Sequence, residues 1–147
     1  MMPPGIQTIE IGLTRTMPAT PEEVYDLWLA ANSPGSPWYG GSHRIVQPVV
    51  DGLFCLTVQH EGSDYAHYGR FLALERPRRI GHTWISRATQ GLESVVTLTF
   101  EAQEQQTLVH LQHAGVPDDK VGRQHEQGWA FVLDAMADRL SELNKRA

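Results

Sequence analysis

The residues of this chain with the greatest chemical capacity lie in the stretch HEQGWAFVL, which runs from His125 to Leu133. It brings His125, Glu126 and Trp129 within five positions. An imidazole with a pKa of about 6.5 exchanges protons near neutrality and can act as a general base. Adjacent helical residues point about 100° apart, so His125 and Glu126 do not face one target, whereas His125 and Trp129 share one helix face. The stretch therefore predicts a binding or packing face rather than a catalytic pair.

Metal and nucleophile chemistry is not indicated elsewhere, although the chain holds seven histidines and one cysteine. No His-x-x-x-His or His-Glu-x-x-His pair lies on a predicted helix, and the favoured strand register puts His60 and His67 on opposite faces of a sheet. Cys55 alternates with Phe54 and Leu56 and points away from the predicted inner face. No Gly-x-Ser-x-Gly elbow, phosphate-cradling loop or dinucleotide fingerprint occurs. We expect no metal, no cofactor and no catalytic residue of these classes.

Size and charge limit the function further. The chain has 147 residues, of which 41% are hydrophobic and 20% charged, with a net charge of −5. We expect a single domain over residues 1–147. No cluster of Lys and Arg appears, so nucleic acid is not an expected partner. The start, MMPPGIQTIEIG, lacks the pattern of a secretory signal, and no run approaches the roughly 18 apolar residues of a membrane span. We expect a cytoplasmic protein.

The elements that position these residues can be predicted from hydrophobic periodicity and from the capping and turn residues between them. Alternation of Ile9, Ile11 and Leu13 predicts a strand. Thr20 and Glu23 form a capping box that predicts a short helix, followed by the Gly/Pro-rich loop SPGSPWYGG. Short turns separate six further strands, predicted at about 43–50, 53–60, 67–75, 79–86, 94–101 and 106–114. Such close spacing favours an antiparallel meander.

A last helix is predicted from a cap at Asp118 or Asp119 to about Leu143. Its apolar stripe must pack on the sheet, which gives an α+β fold. Gly128 lies at the edge of the stripe and is expected to let the helix approach its neighbours closely. The residues predicted for the stripe are Val121, His125, Trp129, Val132, Met136, Leu140 and Leu143.

Three motifs carry a resemblance to a known family: TPEEVYDLW, YGRFLALERPRRIGHTW and HEQGW. Between Ile9 and Leu140 the chain resembles the Aha-type activators of Hsp90 ATPase, within the START-like (SRPBCC, Bet v 1-like) helix-grip superfamily. The resemblance implies a curved seven-stranded antiparallel sheet that grips the C-terminal helix, with one or two short helices between strands 1 and 2 and a cavity between sheet and helix. The superfamily includes lipid carriers and polyketide cyclases or aromatases. A homodimer is also suggested by analogy with the family.

The side chains that would line the cavity follow from strand pairing. Pairing Glu75 with Arg79 places alternate residues of the two strands on one face, and the apolar residues of the other strands join them. With this register His60 faces inward and His67 outward. The predicted inner face comprises Phe54, Leu56, Val58, Tyr68, Arg70, Leu72, Leu74, Ile80, His82, Trp84, Val96, Leu98, Phe100, Val109, Leu111 and His113.

Several polar groups thus converge beneath the helix, and each would cost about 1–3 kcal/mol in a dry core without a partner. We therefore expect a cavity with water or ligand. Some side chains have two interpretations. Arg70 reaches a carboxylate, stacks on Trp84 or anchors an anionic head group, and His82 is either a bonded core residue or a ligand contact. Trp38, beside Tyr39, either covers the core or forms a lid. The predicted ligand-binding residues are Trp38, Tyr68, Arg70, His82, Trp84, His113, His125 and Trp129.

The function that these residues favour is binding of a small hydrophobic or aromatic molecule between the sheet and the C-terminal helix. Two alternatives remain open. A cyclase- or hydrolase-type enzyme could use the same pocket, with Arg70, His82 and His125 as donors and acceptors. A co-chaperone-like protein-interaction module is the other, with the acidic surface and the Trp38–Tyr39 pair as the contact.

Overall fold

The computed structural model describes residues 6–39, 44–60 and 62–146, and for residues 58–60 the backbone alone. In chain order its elements are β1 (Thr8–Met17), α1 (Pro21–Leu29), β2 (Arg44–Val46), β3 (Leu53–His60), β4 (Ser63–Glu75), β5 (Arg79–Trp84), a 3-10 turn (Arg87–Thr89), β6 (Ser94–Gln103), β7 (Gln106–Pro117), α2 (Lys120–Arg123) and α3 (His125–Arg146). Within these ranges no helix is long and apolar enough to cross a membrane.

The seven strands form one antiparallel sheet in the order β1-β7-β6-β5-β4-β3-β2. The predicted α+β helix-grip architecture is confirmed: the sheet curves over a core that α1 and α3 close from the other side. The strands from β2 to β7 follow each other as a meander because their connections are too short for parallel crossovers. Only β1 lies out of sequence order, beside β7.

Helix α1 begins as the sequence predicts. The Thr20 side-chain oxygen accepts a hydrogen bond from the Glu23 backbone N–H at 3.3 Å, and the Glu23 carboxylate accepts one from the Thr20 backbone N–H at 3.4 Å. These bonds satisfy two of the donors that a helix start leaves free. The helix then buries Val24, Tyr25 and Trp28 against the sheet. The capping box therefore places Trp28 in the core.

The C-terminal helical region is two helices rather than the one predicted. Asp119 caps α2 by accepting a hydrogen bond from the Gly122 backbone N–H at 2.6 Å, and the chain breaks at Gln124 before α3 begins at His125. A Cβ added at Gly122 would lie 1.9 Å from the carbonyl oxygen of Pro117, so only glycine fits there. The break places the start of α3, with His125, over the end of β7.

The buried stripe of α3 differs from the predicted one at its ends. Trp129, Met136 and Leu140 are buried as expected, and Val132 is partly buried. Val121 is exposed because the break at Gln124 puts α2 out of phase with α3, and Leu143 is exposed as well. The residues that α3 buries are Trp129, Leu133, Met136, Ala137 and Leu140.

The expected role of Gly128 is wrong. Gly128 is exposed, and a Cβ added there would meet nothing within 4 Å. Close approach to the sheet is therefore not its function, and the glycine only weakens the helix.

A bulge in β4 reverses part of the predicted inner face. The predicted pairing of Glu75 with Arg79 is correct, but the register shifts between Phe71 and Ala73. An extra residue in one strand turns every earlier side chain to the opposite face. The prediction that Tyr68, Arg70 and Leu72 face inward is therefore wrong, and His67, Gly69 and Phe71 face the core instead.

The rest of the predicted inner face is confirmed. Phe54 and Leu56 of β3, Ile80, His82 and Trp84 of β5, and the inward residues of β6 and β7 are all buried, and Leu74 packs against them. The side chains of Val58 and His60 lie outside the described residues. The core thus sits between the concave face of the sheet and the buried faces of α1 and α3.

Candidate functional site

The centre of the candidate site is His113 on β7, whose side chain is fully buried. Trp129 of α3 donates its indole N–H to His113 Nδ1 at 2.9 Å. An indole nitrogen only donates, so Nδ1 must be the accepting nitrogen and Nε2 carries the proton. His113 Nε2 therefore donates to Ser94 Oγ at 2.7 Å, and Ser94 donates onward to the Trp84 carbonyl at 2.6 Å. This chain of bonds ties α3 to strands β5, β6 and β7.

The same bonds keep His113 neutral. A second proton on Nδ1 would oppose the Trp129 N–H, two donors facing each other. Burial lowers the pKa of His113 to about 3, with smaller contributions in the same direction from His125 and His82. His113 is therefore a fixed neutral acceptor and donor over the physiological range, and it lies in the core.

His125 sits beside His113 at the start of α3, with ring centroids 5.1 Å apart. Its Nδ1 lies 2.8 Å from the carbonyl oxygen of Gly122, and because a carbonyl only accepts, Nδ1 carries the proton. Burial lowers the pKa of His125 below its ordinary value, against opposing contributions from Gly122 and Asp119. In the neutral ring Nε2 then presents a lone pair. Nε2 is buried and has no hydrogen-bond partner among the described residues.

His67 and Trp84 complete the site from β4 and β5. Their rings lie nearly parallel with centroids 4.7 Å apart. Neither His67 Nδ1 nor Trp84 Nε1, both buried, has a hydrogen-bond partner in the described part of the chain. Burial lowers the pKa of His67 to about 4, although the nearby backbone of Leu56 and Tyr65 favours the proton. The expectation that His67 faces outward is wrong because of the β4 bulge.

We call these five residues, His67, Trp84, His113, His125 and Trp129, the histidine–tryptophan cluster. Its members come from β4, β5, β7 and α3. Three of its polar atoms are buried without a partner among the residues that the structure describes, and each such atom costs about 1–3 kcal/mol. Folded proteins rarely leave buried polar groups unpaired, so each one calls for a water or ligand. The cluster is therefore the place where the fold has unmet hydrogen-bonding capacity.

A layer of tryptophan covers the cluster. Trp38 is buried, with its ring centroid 6.1 Å from those of both Trp84 and Trp129. Its indole N–H donates to the Trp28 carbonyl at 3.0 Å, and Arg139 of α3 donates to the Ser36 carbonyl at 2.8 Å. Residues 30–39 contain turns and bends but no regular helix or strand. In this structure Trp38 therefore acts as a cover for the core, held by a few bonds from an irregular segment.

The predicted open cavity is not present in the described residues. Beside the cluster there is a pocket of about 10 Å³, room for roughly one water molecule. The three unpaired atoms do not line it, but Trp84 contacts three side chains that do. The residues around the pocket are Trp28, Trp38, Val46, Phe54, Leu56, Phe71 and His82. A ligand larger than water must therefore displace part of this lining.

His82 lies at the wall of the small pocket. It is buried, and its Nδ1 donates to the Thr83 carbonyl at 2.9 Å. Burial lowers the pKa of His82 to about 4. Its ring meets Phe54 edge-on, with centroids 4.9 Å apart. The hydrogen bond of Nδ1 agrees with the interpretation of His82 as a bonded core residue. Its place on the pocket wall leaves the other interpretation, a ligand contact, open.

Arg70 and Tyr68 lie outside the site. Both face outward on β4, and Tyr68 is 52% exposed. The Arg70 guanidinium lies 3.5 Å from the carboxylate of Asp51 at the surface, and it does not stack on Trp84. No Lys or Arg side chain is bonded to the histidine–tryptophan cluster in the described ranges. The expected anchor for an anionic head group is therefore absent from this face.

A metal site is not formed either. Among the residues that the structure describes, no group of three His, Cys, Asp or Glu side chains could hold a metal ion. His113 and His125 each use one ring nitrogen as a donor to oxygen, which leaves too few free nitrogen ligands in one place. The histidine–tryptophan cluster can donate hydrogen bonds to a bound molecule and accept hydrogen bonds from it, and aromatic rings surround the atoms that would do so.

Comparison with known proteins agrees with this fold. The family model for "Activator of Hsp90 ATPase homolog 1-like protein" matches residues 18–141. No curated protein matches. Protein CV1439 from Chromobacterium violaceum is 22% identical, with a TM-score of 0.73 over 88% of this chain and 96% of that one. An HSP90 activator from Plasmodium falciparum is 24% identical, with a TM-score of 0.67 over 82% and 87%. The Aha1 dimer from Colwellia psychrerythraea is 17% identical, with a TM-score of 0.68 over 90% and 96%.

Proposed function

The chain belongs to the family of Activator of Hsp90 ATPase homolog 1-like proteins, and on that premise we propose that it binds a small hydrophobic or aromatic molecule at the histidine–tryptophan cluster, between the sheet and α3. The observation that carries the proposal is the set of three buried polar atoms without partners. They belong to His67, Trp84 and His125 and are surrounded by aromatic rings. Ligand sites in proteins combine such apolar walls with a few convergent polar groups.

Binding requires room that the pocket of about 10 Å³ does not offer. Trp38 is the side chain whose movement would make that room. It touches Trp84 and Trp129 from an irregular segment, whereas the other walls belong to the sheet and the two helices. Outward movement of the Trp38 side chain breaks the hydrogen bond from its indole N–H to the Trp28 carbonyl, while the bond from its backbone N–H to Ser36 Oγ lies within the same segment. We propose that Trp38 is a lid in this sense.

The test compares Trp38→Ala with Tyr39→Ala, since both change neighbouring aromatic side chains but only Trp38 covers the cluster. Removing a buried tryptophan costs about 3–5 kcal/mol, so Trp38→Ala lowers the melting temperature. It also removes the need to expel the lid. We expect 2-naphthol, titrated by calorimetry, to bind Trp38→Ala at least roughly tenfold more tightly than wild type. Tyr39→Ala should bind as wild type does. Absence of binding in all three chains would contradict the proposal.

An enzyme of the cyclase or hydrolase type is the alternative that uses the same atoms. The lone pair on His125 Nε2 is the observation in its favour, since it points into a buried site and has no donor. A base in that position could take a proton from a bound hydroxyl. Chemical change of a bound molecule, abolished by His125→Gln, would favour the enzyme. Binding without change would favour a carrier.

A second copy of the chain is the protein partner that we propose. The outer face of β2–β4, together with the loop between β2 and β3, exposes apolar residues that a monomer would normally cover. Ile45 pairs with Cys55 and Cys55 with Tyr68, so the exposed side chains form a row across three strands that ends at the short edge strand β2. One solved structure with this fold is a dimer. The residues of this apolar face are Ile45, Val49, Val50, Leu53, Tyr68 and Leu72.

A co-chaperone-like role would use a different surface from the predicted contact at Trp38 and Tyr39, because Trp38 is buried. Phe131 on α3 is 72% exposed, the most exposed of the large hydrophobic side chains in the described residues. An exposed phenylalanine on a rigid helix suits a partner pocket. If the chain binds an Hsp90-type chaperone through this side chain, Phe131→Ser should abolish the binding measured by calorimetry. The matched variant Leu53→Ser on the opposite apolar face should leave it unchanged.

A further inference from the structure

The polarity of the unpaired atoms narrows the chemical class of the ligand, and this step rests on the proposed function. Trp84 Nε1 is a donor and needs an acceptor. His125 Nε2 is an acceptor and needs a donor, because the ring proton lies on Nδ1, which donates it to the Gly122 carbonyl in a hydrogen bond. His67 Nδ1 serves as either, according to its tautomer. A ligand that satisfies the site must therefore both accept and donate.

Charge narrows the class further. Protonation of His113 is opposed by the indole N–H of Trp129, which already points at Nδ1. No Lys or Arg side chain is bonded to the cluster in the described ranges, and the charged group that acts on His125 is the carboxylate of Asp119. An anionic ligand would meet that carboxylate and find no cation. A cationic ligand would have no acceptor to offer Trp84 Nε1, which would stay unpaired.

We infer that the histidine–tryptophan cluster selects a neutral aromatic molecule that carries a hydroxyl group. The hydroxyl oxygen accepts a hydrogen bond from Trp84 Nε1, and the hydroxyl group donates one to His125 Nε2. The aromatic ring system of the ligand takes the place of Trp38 against the rings of Trp84 and Trp129. A carboxylate cannot supply the proton, and a plain hydrocarbon leaves both atoms unpaired.

The experiment uses four probes with one ring system: naphthalene, 2-naphthol, 2-naphthoate and 2-naphthylmethylammonium. Each is titrated into the wild-type chain at pH 7.5, and its affinity is measured by calorimetry. One neutral hydrogen bond gives about a fivefold gain in affinity, so two bonds favour 2-naphthol over naphthalene by about 25-fold. The two charged probes should bind more weakly than naphthalene. Trp84→Phe and His125→Phe should each reduce the naphthol preference about fivefold, and His110→Phe, at an exposed histidine of β7, should not.

A second readout avoids the variants, in case Trp84→Phe does not fold. The four tryptophans each give one indole N–H signal in a proton–nitrogen NMR spectrum. On addition of 2-naphthol the Trp84 signal should move in the direction of hydrogen-bond formation. The Trp129 signal, already bonded to His113, should move much less.

Three results would overturn the inference. If naphthalene binds as tightly as 2-naphthol, the hydroxyl is not recognised, although the proposed function stands. If 2-naphthoate or the ammonium probe binds most tightly, the site accepts a charged ligand. The inference of a neutral ligand then fails, although the proposed function stands. If none of the four probes binds, the proposed function fails and this inference fails with it.

Discussion

Acidification should unfold this protein through its buried histidines. In the unfolded chain each histidine takes up a proton near pH 6.5. In the folded chain burial lowers the pKa of His67 and His82 to about 4 and that of His113 to about 3. Between those values the unfolded state binds more protons, so the free energy of unfolding is intact above about pH 6.5 and falls as the pH drops.

The size of the loss follows from the pKa values. Between pH 7 and pH 5 each of the three histidines removes about 1.8 kcal/mol, or together about 5 kcal/mol. A domain of this size is stable by about 5–15 kcal/mol, so the loss is a large part of the total. Urea unfolding, followed by tryptophan fluorescence at pH 7, 6 and 5, measures it directly.

One variant separates this mechanism from general acid sensitivity. His67→Phe keeps the ring against Trp84 and removes an unpaired buried nitrogen, so it should leave the stability at pH 7 unchanged or raise it. It should also reduce the loss between pH 7 and pH 5 by about 1.8 kcal/mol. His110→Gln, which removes an exposed histidine of β7, is the matched control for the loss of a histidine outside the core. A loss under about 1 kcal/mol in wild type, or an equal loss in His67→Phe, would show that the buried histidines do not cause the acid sensitivity.

Three further predictions concern the fold and the assembly. Gly128→Ala should stabilise the chain by about 1 kcal/mol in thermal unfolding, because the added methyl group meets nothing and alanine favours the helix; a lower melting temperature would show that Gly128 has a packing role. Gly122→Ala should lower the free energy of unfolding by several times that amount, because its Cβ would overlap the Pro117 carbonyl. An unchanged melting temperature would contradict the geometry of α2. Leu53→Ser should shift the chain toward monomer in sedimentation velocity at micromolar concentration, while Phe131→Ser should not; the reverse result would place the interface on α3.

The parts of the fold that were predictable from sequence are those set by local chemistry. The Thr20–Glu23 capping box, the pairing of Glu75 with Arg79 and the alternation in β6 and β7 each depend on residues close in the chain. The bulge between Phe71 and Ala73 has no comparable local signal; it lies where β4 passes from pairing with β3 to pairing with β5. One extra residue in β4 is enough to turn Arg70 away from the site and His67 toward it.

The candidate site could be predicted only in part for the same reason. Trp84, His113, His125 and Trp129 come together as expected because their strands and helix have a regular period. Trp28 was missed as a wall of the pocket, although its place on the buried side of α1 is a signal for it. The absence of open space was not predictable, because whether side chains fill a cavity depends on packing between elements far apart in the chain.

Native mass spectrometry of the chain purified from its own cells is the most direct test of the central claim, that the histidine–tryptophan cluster holds a small molecule. We expect one neutral molecule of low mass per chain, retained under gentle conditions and released when the protein is acidified below pH 5. We also expect weaker retention in Trp84→Phe than in the control His110→Phe. The bare mass of the polypeptide in every charge state, or equal retention in the two variants, would contradict it.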